Sequence, residues 1–566
     1  MSVIYLIPQR TVYMAAFLVP FSLGVLIGIL LYFLTVPFLC WAQDFSEDEG
    51  IVYLKKLSIE DLLETEVTSV SKRTEKVAHA AAAVFVITND DIRRSGVTTI
   101  PEALRMVPGL QVTRIDASKW AITSRGFNGR FANKLLVLID GRSVYTPLYS
   151  GVFWDIQDML MEDIDRIEVV RGPGATLWGA NAVNGVINII TKHAKYTQGG
   201  LVSLGVGTEE RGFGSIRYGA SLGNDAYCRV YTKYFNRDNS VDTSGAEMAD
   251  EWDALRGGFR IDWQKSDHSA MTLQGDIYNG DAGQTITLAS LNPPYTNTVN
   301  ENIETKGGNI LLRWNRNFSE YSDIVLQMYY DRNEHNEIVT HIIQDTFDID
   351  FQRRLRVGKS HELIWGLGYR FLHDDINDSF NASFNPDSRG DNLFSAFLQD
   401  DLTLIKDRLR FTVGSKFEHN DYTGFEVQPN GRLLWTLSDD HIFWAAISRA
   451  VRTPSRGEHD GRINSQVIPP LTPENPTPFP VVVSIITTRN FDSEKLLAYE
   501  LGYRIRPVHQ LSFDLSLFYN DYNGFRSTEY GTSYFEPQPP PGHFVTPIFL
   551  NNKIFGETYG VEMVSE

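Results

Sequence analysis

The chain has 566 residues, with 52 Lys and Arg against 70 Asp and Glu, and a formal net charge of −18. Hydrophobic residues make up 42% and aromatic residues 12%, which excludes a disordered chain. The acidic balance argues against a nucleic-acid-binding protein, which would carry a basic surface for phosphates. The two cysteines, Cys40 and Cys228, exclude a disulfide scaffold and a cysteine-ligated metal site.

The N-terminus predicts an export signal over residues 1–42. No charged residue lies between Arg10 and Asp44, and residues 14–39 are almost wholly apolar. The sequence CWA before residue 43 predicts cleavage after Ala42, and translation from Met14 would leave a signal of ordinary length. An uncleaved membrane helix is the alternative, because the apolar run is long enough to span a bilayer. In both cases we expect the rest of the chain to be exported.

A mixed helix and strand pattern follows, from about residue 57 to residue 191. Capping-box signatures predict the starts of two helices, Thr88 with Asp91 and Thr99 with Glu102. We expect the first helix to end at Gly96 and the second at Pro108-Gly109. Apolar runs predict buried strands at residues 84–87, 135–139, 167–170 and 186–190, and Asp140-Gly141 predicts a hairpin turn. The region is therefore predicted to form one compact α+β domain.

After about residue 199 the apolar residues alternate with a period of two. Residues 511–517 (LSFDLSL) are an example, and about sixteen such segments occur. A soluble sandwich is one interpretation. Export, aromatic strand ends and alternating short and very long connections favour a membrane barrel, whose lumen could hold the first domain. The long connections are predicted at residues 238–251, 284–301, 377–391, 454–494 and 524–544.

Several motifs occur in order along the first domain: VPG at 107–109, RGF at 125–127, LIDG at 138–141, IEVVRGP at 167–173 and WGANAVNGVINIITK at 178–192. Together they closely resemble the plug of TonB-dependent outer-membrane receptors over residues 64–192. SRAVRTP at 448–454 and YGVE at 559–562 resemble barrel motifs of the same family. One departure is Asn184, which stands where the family usually has a further glycine.

The resemblance implies a transmembrane antiparallel β-barrel with an N-terminal α+β plug domain inside the lumen. The implied organisation is a signal peptide at 1–42, a TonB-box and linker segment at 43–75, the plug at 76–193 and the barrel at 199–566. The family closes its barrels with 22 strands, whereas about sixteen are recognisable here. We therefore expect the barrel to be incomplete at its C-terminus, with roughly 100–150 further residues in the gene product.

The function that the resemblance implies is active import across the cell outer membrane. A scarce ligand such as a ferric siderophore, haem or cobalamin would be imported by a monomeric receptor, with TonB energised by ExbB and ExbD. A passive porin or adhesin barrel is the alternative, although an open porin would not need the plug motifs. No nucleophile–base pair stands out, so we expect no enzyme, and we predict no cofactor and no metal site.

Three sets of residues are predicted to have functional roles, in coupling to TonB, in holding the plug in the barrel and in binding the ligand. The TonB-coupling strand is Glu64, Thr65, Glu66, Val67, Thr68, Ser69 and Val70, which could add to a partner's sheet or serve only as a linker. The lock between plug and barrel is Arg125, Arg171, Glu500 and Glu562, because the strand period and the resemblance both direct the two glutamates inward; simple hydration of these carboxylates is the alternative. The ligand-binding candidates are Arg130, Phe131, Tyr145, Tyr149, Phe153 and Trp154, for which packing against the barrel wall is the alternative.

Overall fold

The computed structural model describes residues 65–131, 133–508 and 511–565. The predicted signal peptide, most of the predicted linker and Glu64 lie outside these residues. None of the helices in the described part of the chain is long and apolar enough to cross a membrane.

The plug is built from short elements around one central sheet. Its helices are α1 (Asn89–Ser95), α2 (Ile100–Leu104) and α3 (Ala175–Trp178). Its strands are β1 (Glu66–Val67), β2 (Glu75–Lys76), β3 (Ala83–Thr88), β4 (Leu110–Arg114), β5 (Trp120–Ser124), β6 (Leu135–Ile139), β7 (Arg142–Ser143), β8 (Tyr145–Thr146), β9 (Gly151–Val152), β10 (Ile164–Arg171) and β11 (Gly185–Thr191). The mixed α+β character predicted for this region is confirmed.

The central plug sheet has five strands in the order β3-β10-β11-β6-β7. Strands β6 and β11 are parallel, and the other pairs are antiparallel. The four apolar runs predicted as buried strands form β3, β6, β10 and β11, so that prediction is confirmed. The predicted hairpin turn joins β6 to β7, where Asp140 and Gly141 have φ values of 49° and 80°. Such a left-handed pair matches the twist of the two strands.

The two predicted capping boxes differ in outcome. Thr88 and Asp91 form the reciprocal bonds that begin α1, which ends at the left-handed Gly96 as predicted. Thr99 makes no side-chain capping bond at α2, so the second box is wrong. Its partner Glu102 instead pairs with Arg105 at 2.6 Å and accepts a hydrogen bond from the Trp120 indole at 3.2 Å. Helix α2 also ends earlier than predicted, at Leu104.

The second region is a single antiparallel wall with short strands added in its connections. Its strands are β12 (Gly199–Gly205), β13 (Gly212–Ser221), β14 (Ala226–Arg237), β15 (Trp252–Ser266), β16 (Ser269–Ala289), β17 (Thr296–Ser319), β18 (Ser322–Asn336), β19 (His341–Val357), β20 (His361–Asn377), β21 (Ala382–Phe384), β22 (Ser388–Ile405), β23 (Leu409–Asn420), β24 (Gly424–Ser438), β25 (His441–Arg452), β26 (Gly461–Ile468), β27 (Val481–Ile486), β28 (Glu494–Val508), β29 (Leu511–Tyr530), β30 (Tyr534–Glu536) and β31 (His543–Ser565). In the described part of the chain, sixteen of these are wall strands, as predicted; β21, β26, β27 and β30 lie in connections.

One predicted long connection is mostly strand. Strands β16 and β17 continue as a paired ladder through residues 284–301, where Gln284 lies opposite Glu301, and only residues 290–295 separate the strands. Ile286 and Leu288 alternate with Thr285 and Thr287 here, and Ile286 lies opposite Val299, so the period-two pattern continues into the predicted connection. The predicted bounds of this connection are therefore wrong. The connection after β25 is also structured, because it holds helix α4 (Arg456–His459) and the hairpin β26–β27.

The plug lies within the curved wall and is bonded to it directly. Arg504 of β28 donates to the carbonyl oxygens of Ala80 and Ala82, at 2.6 and 2.5 Å. The Asn181 amide donates to the carbonyl of Val451 at the end of β25, at 2.8 Å. The outer face of the wall is apolar, as the half-exposed Leu367 and Leu501 illustrate. This arrangement is a barrel wall around a plug.

Candidate functional site

The predicted coupling strand is folded into the plug. Strand β1 pairs with β2, placing Val67 opposite Glu75, and the Val67 side chain is fully buried. Val70 is also buried, and both valines pack in one of the two apolar cores of the plug. The sequence interpretation placed this segment upstream of the folded domain; the structure shows that it belongs to the domain.

One buried carboxylate anchors this segment. Glu168 of β10 is fully buried and accepts hydrogen bonds from the backbone amides of Thr68 and Ser69, at 3.0 and 2.8 Å. It also accepts from the Ser69 hydroxyl, at 2.5 Å. The Trp178 indole donates to the Ser69 carbonyl at 2.7 Å. Every polar group of Ser69 is therefore bonded within the plug, and one anion receives most of these bonds.

The residues that follow the coupling strand reach the barrel wall. Lys72 lies 3.6 Å from Asp350, and Arg73 pairs with Glu362 at 2.8 Å and with Asp401 at 2.7 Å. Burial lowers the pKa of Lys72, and the neighbouring Asp350 opposes this shift. These contacts tie the end of the segment to strands β19, β20 and β22.

A polar cavity of about 920 Å³ lies between the plug and the wall, and Lys72 and Arg73 form part of its lining. Glu320 lines it at the end of the wall that carries the short turns. Tyr422 and Pro454 line it at the opposite end, which carries the long connections. The coupling segment therefore borders a polar space that runs along one side of the plug.

The four residues of the predicted lock lie together. Arg125 pairs with Glu500 at 2.8 Å and with Glu562 at 3.1 Å, and Arg171 pairs with Glu562 at 3.3 Å. The two arginine side chains are 1% exposed. Arg125 has a left-handed φ of 57° in the strained turn that ends β5, which directs its side chain to both glutamates. The ion pairs join the plug to β28 and β31.

The predicted ligand-binding residues separate into two groups. Phe153 and Trp154 are buried: the Phe153 ring stacks on His335 of the wall, with centroids 4.1 Å apart, and Trp154 belongs to the plug core. Protein atoms cover most of both rings, which favours the packing alternative, but Phe153 also lines the cavity described above. Ligand binding by these two residues stays a prediction. Tyr145 donates to the Asn133 carbonyl at 3.1 Å and packs against the other plug core.

The remaining candidates form an aromatic cluster at the long-connection end. Phe131 stacks on Tyr149, with ring centroids 5.0 Å apart. The exposed guanidinium of Arg130 lies over the Phe131 ring at 5.0 Å. Burial raises the pKa of Tyr149 to about 12, so its hydroxyl stays protonated at neutral pH. Arg130 is the member of the predicted set that is most available to a ligand.

Asn184, where the sequence departs from the resembled family, has a structural role. Its side-chain amide donates to the Ser124 carbonyl at 3.0 Å, and its side-chain oxygen accepts from the Tyr522 hydroxyl of β29 at 2.8 Å. The residue is 1% exposed. The asparagine therefore joins two parts of the plug to the wall, which a glycine could not do.

Sequence reasoning missed the roles of Glu168 and Arg452, although both lie inside motifs that the sequence shows. Arg452 has no exposed surface and pairs with Glu458 and Glu494. The signal that could have identified Glu168 and Arg452 is a charged residue at a position that the strand pattern makes buried, since such charges require partners.

A globular domain bonded inside a large antiparallel wall defines the class of plugged β-barrels. Family models agree: the one described as "TonB-dependent Receptor Plug Domain" matches residues 76–186, and "TonB dependent receptor-like, beta-barrel" matches residues 196–565. The chain belongs to the TonB-dependent receptor family. Its barrel is accordingly an outer-membrane barrel.

Curated relatives carry two kinds of name. The vitamin B12 transporter BtuB of Vibrio cholerae is 34% identical over 167 residues, covering 30% of this chain and 27% of that protein. The iron-regulated outer membrane virulence protein of Vibrio cholerae is 23% identical over 522 residues, covering 88% and 74%. The chain thus aligns with about a quarter of the length of BtuB.

Solved structures share the fold. The siderophore receptor PirA from Acinetobacter baumannii superposes with a TM-score of 0.67 at 17% identity, covering 87% of this chain and 78% of that one. A ferric enterobactin receptor (PfeA) variant from Pseudomonas aeruginosa gives 0.69 at 16% identity, covering 88% and 79%.

Proposed function

We propose that this protein imports a scarce ligand across the outer membrane in an energy-coupled reaction with TonB, which ExbB and ExbD energise. Family membership and the folded coupling segment support the proposal. The ligand classes are a ferric siderophore, haem or cobalamin, because similar proteins are named as siderophore receptors and a vitamin B12 transporter. The observation that carries the proposal is the anchoring of Ser69 on Glu168, which joins residues 65–70 to the centre of the plug sheet.

The proposed coupling step begins with strand addition. TonB would pair with the released segment around Val67 through main-chain hydrogen bonds. Withdrawal of Ser69 would remove the donors that the segment gives to the buried Glu168 and would leave it with Arg166 at 2.9 Å, so force on the segment reaches β10 directly. Lys72 and Arg73 follow in the chain, and their withdrawal would release Asp350, Glu362 and Asp401 beside the polar cavity. The cavity would then widen into a path for the ligand.

We propose that the cluster of Arg125, Arg171, Glu500 and Glu562 retains the plug in the barrel during this step. Buried ion pairs resist the loss of either partner, because an unpaired charge then remains in a partly dry interface. We further propose that Arg130, Phe131 and Tyr149 contribute to ligand binding at the long-connection end. Their exposed cation and clustered rings suit a ligand with negative charge and aromatic or conjugated groups.

The test is a panel of ferric siderophores, haemin and cyanocobalamin. Binding to the purified receptor would be measured first, and uptake of the bound compound would then be compared in cells with and without TonB. The proposal predicts saturable binding of one class and uptake that requires both the receptor and TonB. A passive porin or adhesin barrel instead predicts uptake, or none, that is the same with and without TonB.

A further inference from the structure

A second buried charge network joins the plug to the wall, at the end that carries the long connections. Arg452 of β25 has no exposed side-chain surface and pairs with Glu494 of β28 at 2.8 Å and with Glu458 of α4 at 2.6 Å. Glu494 also pairs with Lys134 of the plug at 2.6 Å. Each of the four side chains is at most 6% exposed. Cations and carboxylates therefore alternate from the plug to helix α4.

Helix α4 also contacts the plug through its backbone. The Arg456 amide donates to the Pro147 carbonyl at 2.9 Å, and the Gly457 amide donates to the Leu148 carbonyl at 2.8 Å. A Cβ atom added at Gly457 would lie 3.2 Å from that Leu148 oxygen, so an alanine there would have to push the two segments apart slightly. The segment that carries Glu458 is thus seated on the plug loop between β8 and β9.

Glu458 connects the helix to the network. Its carboxylate accepts from the Ser455 amide at 3.0 Å, which caps α4, and from Arg452 at the same time. Burial alone would raise the pKa of Glu458, but Arg452 lowers it overall, so the carboxylate is charged at neutral pH. Movement of α4 therefore changes the partners of Arg452, and through Glu494 those of Lys134.

We propose that Lys134, Glu494, Arg452 and Glu458 form a second lock between plug and barrel, and that the position of residues 453–460, in the long connection after β25, controls it. The residues are distinct from the cluster of Arg125, Arg171, Glu500 and Glu562. That cluster responds to force on the plug, whereas the second lock responds to the position of α4. Displacement of α4 would release the plug loop at residues 126–134. The inference does not depend on the identity of the ligand.

The test is amide hydrogen exchange in the purified full-length receptor, comparing the plug loop at residues 126–148 with strand β10 as an internal reference. Lys134→Met removes the plug cation, and Glu458→Gln removes the charge of the α4 carboxylate that contacts Arg452 and Arg526. Both variants should raise exchange at residues 126–148 by about tenfold or more while β10 is unchanged, because each leaves a buried charge poorly paired. Gly457→Ala, which presses α4 away from Leu148, should act in the same direction.

Glu426→Gln is the matched control, because Glu426 is a buried wall carboxylate paired with Arg449 at 3.5 Å. We expect it to leave exchange at residues 126–148 unchanged. Unaltered exchange in both Lys134→Met and Glu458→Gln would overturn the second lock. An increase in Lys134→Met alone, with wild-type exchange in Glu458→Gln and Gly457→Ala, would overturn control by residues 453–460. If Glu458→Gln does not assemble, Glu458→Asp replaces it with the same expected direction.

Discussion

Ser69 and Glu168 are joined by two hydrogen bonds, from the serine amide at 2.8 Å and from its hydroxyl at 2.5 Å. They are 99 residues apart in the chain, and the carboxylate that joins them is fully buried. The bonds connect the segment proposed to receive TonB with β10, an interior strand of the plug sheet. The strength of this contact should set how easily the segment leaves the plug.

Glu168→Gln is therefore expected to loosen residues 65–70. The amide keeps the shape of the side chain but removes the charge, and hydrogen bonds to a charged group contribute about 1.5–3 kcal/mol. Hydrogen exchange at residues 65–70 should rise accordingly, while ligand binding is unchanged. Glu162→Gln is the control near the start of the same strand, because Glu162 is partly exposed and is not among the partners of Thr68 or Ser69. Equal protection of residues 65–70 in Glu168→Gln and the unsubstituted protein would contradict the anchoring role.

The two lock arginines should differ in importance. Arg125→Ala removes the ion pair of Glu500 and one of the two ion pairs of Glu562, and loss of a buried partner costs about 3–5 kcal/mol. Arg171→Ala should cost less, because Glu562 retains Arg125. Ion leakage through the receptor in planar bilayers measures plug retention. Greater leakage in Arg171→Ala than in Arg125→Ala would contradict this order.

A charge reversal tests which residues pair. Glu500 lies against Arg125 at 2.8 Å, whereas Arg171 pairs with Glu562. Combining Arg125→Glu with Glu500→Arg should therefore restore part of the plug retention that each single change removes. Combining Arg171→Glu with Glu500→Arg should restore none. Rescue by the second combination and not by the first would show that the pairing is different.

Asn184 and Tyr522 should be energetically coupled. Their hydrogen bond of 2.8 Å joins the plug to β29, and such a bond contributes about 1 kcal/mol. A double-mutant cycle with Asn184→Ala and Tyr522→Phe, read from unfolding of the plug in urea, should give a coupling of about that size. Fully additive effects of the two substitutions would contradict the contact.

The local patterns predicted most of the secondary structure. Period-two alternation located the sixteen wall strands, and apolar runs located β3, β6, β10 and β11. The capping box predicted at Thr99 does not form, because the Glu102 side chain bonds to Arg105 and Trp120 instead. A local sequence pattern does not show these competing partners. The extension of β16 and β17 was missed although Ile286 and Leu288 continue the period-two alternation there.

Long-range contacts were harder to predict. The glutamates of the first lock could be proposed because strand parity and a family resemblance agreed on their direction. The pairing of Lys134 with Glu494, 360 residues apart, could not. Neither residue belongs to a local pattern that specifies a partner. The burial of Phe153 and Trp154 could not be predicted for a related reason: aromatic residues in a loop can pack against protein as well as face a ligand.

The measurement that tests the central claim most directly is uptake of the compound that the receptor binds, in cells that contain TonB. It compares Val67→Pro with Glu168→Gln. Proline removes a main-chain donor needed for strand addition, and it also disturbs the pairing of Val67 with Glu75. Glu168→Gln releases the same segment and leaves its strand-forming sequence intact. The account predicts normal binding in both variants, abolished uptake in Val67→Pro, and uptake in Glu168→Gln that is reduced but still TonB-dependent, because the weakened anchor transmits less force to β10. Wild-type uptake by Val67→Pro, or uptake that persists without TonB, would contradict it.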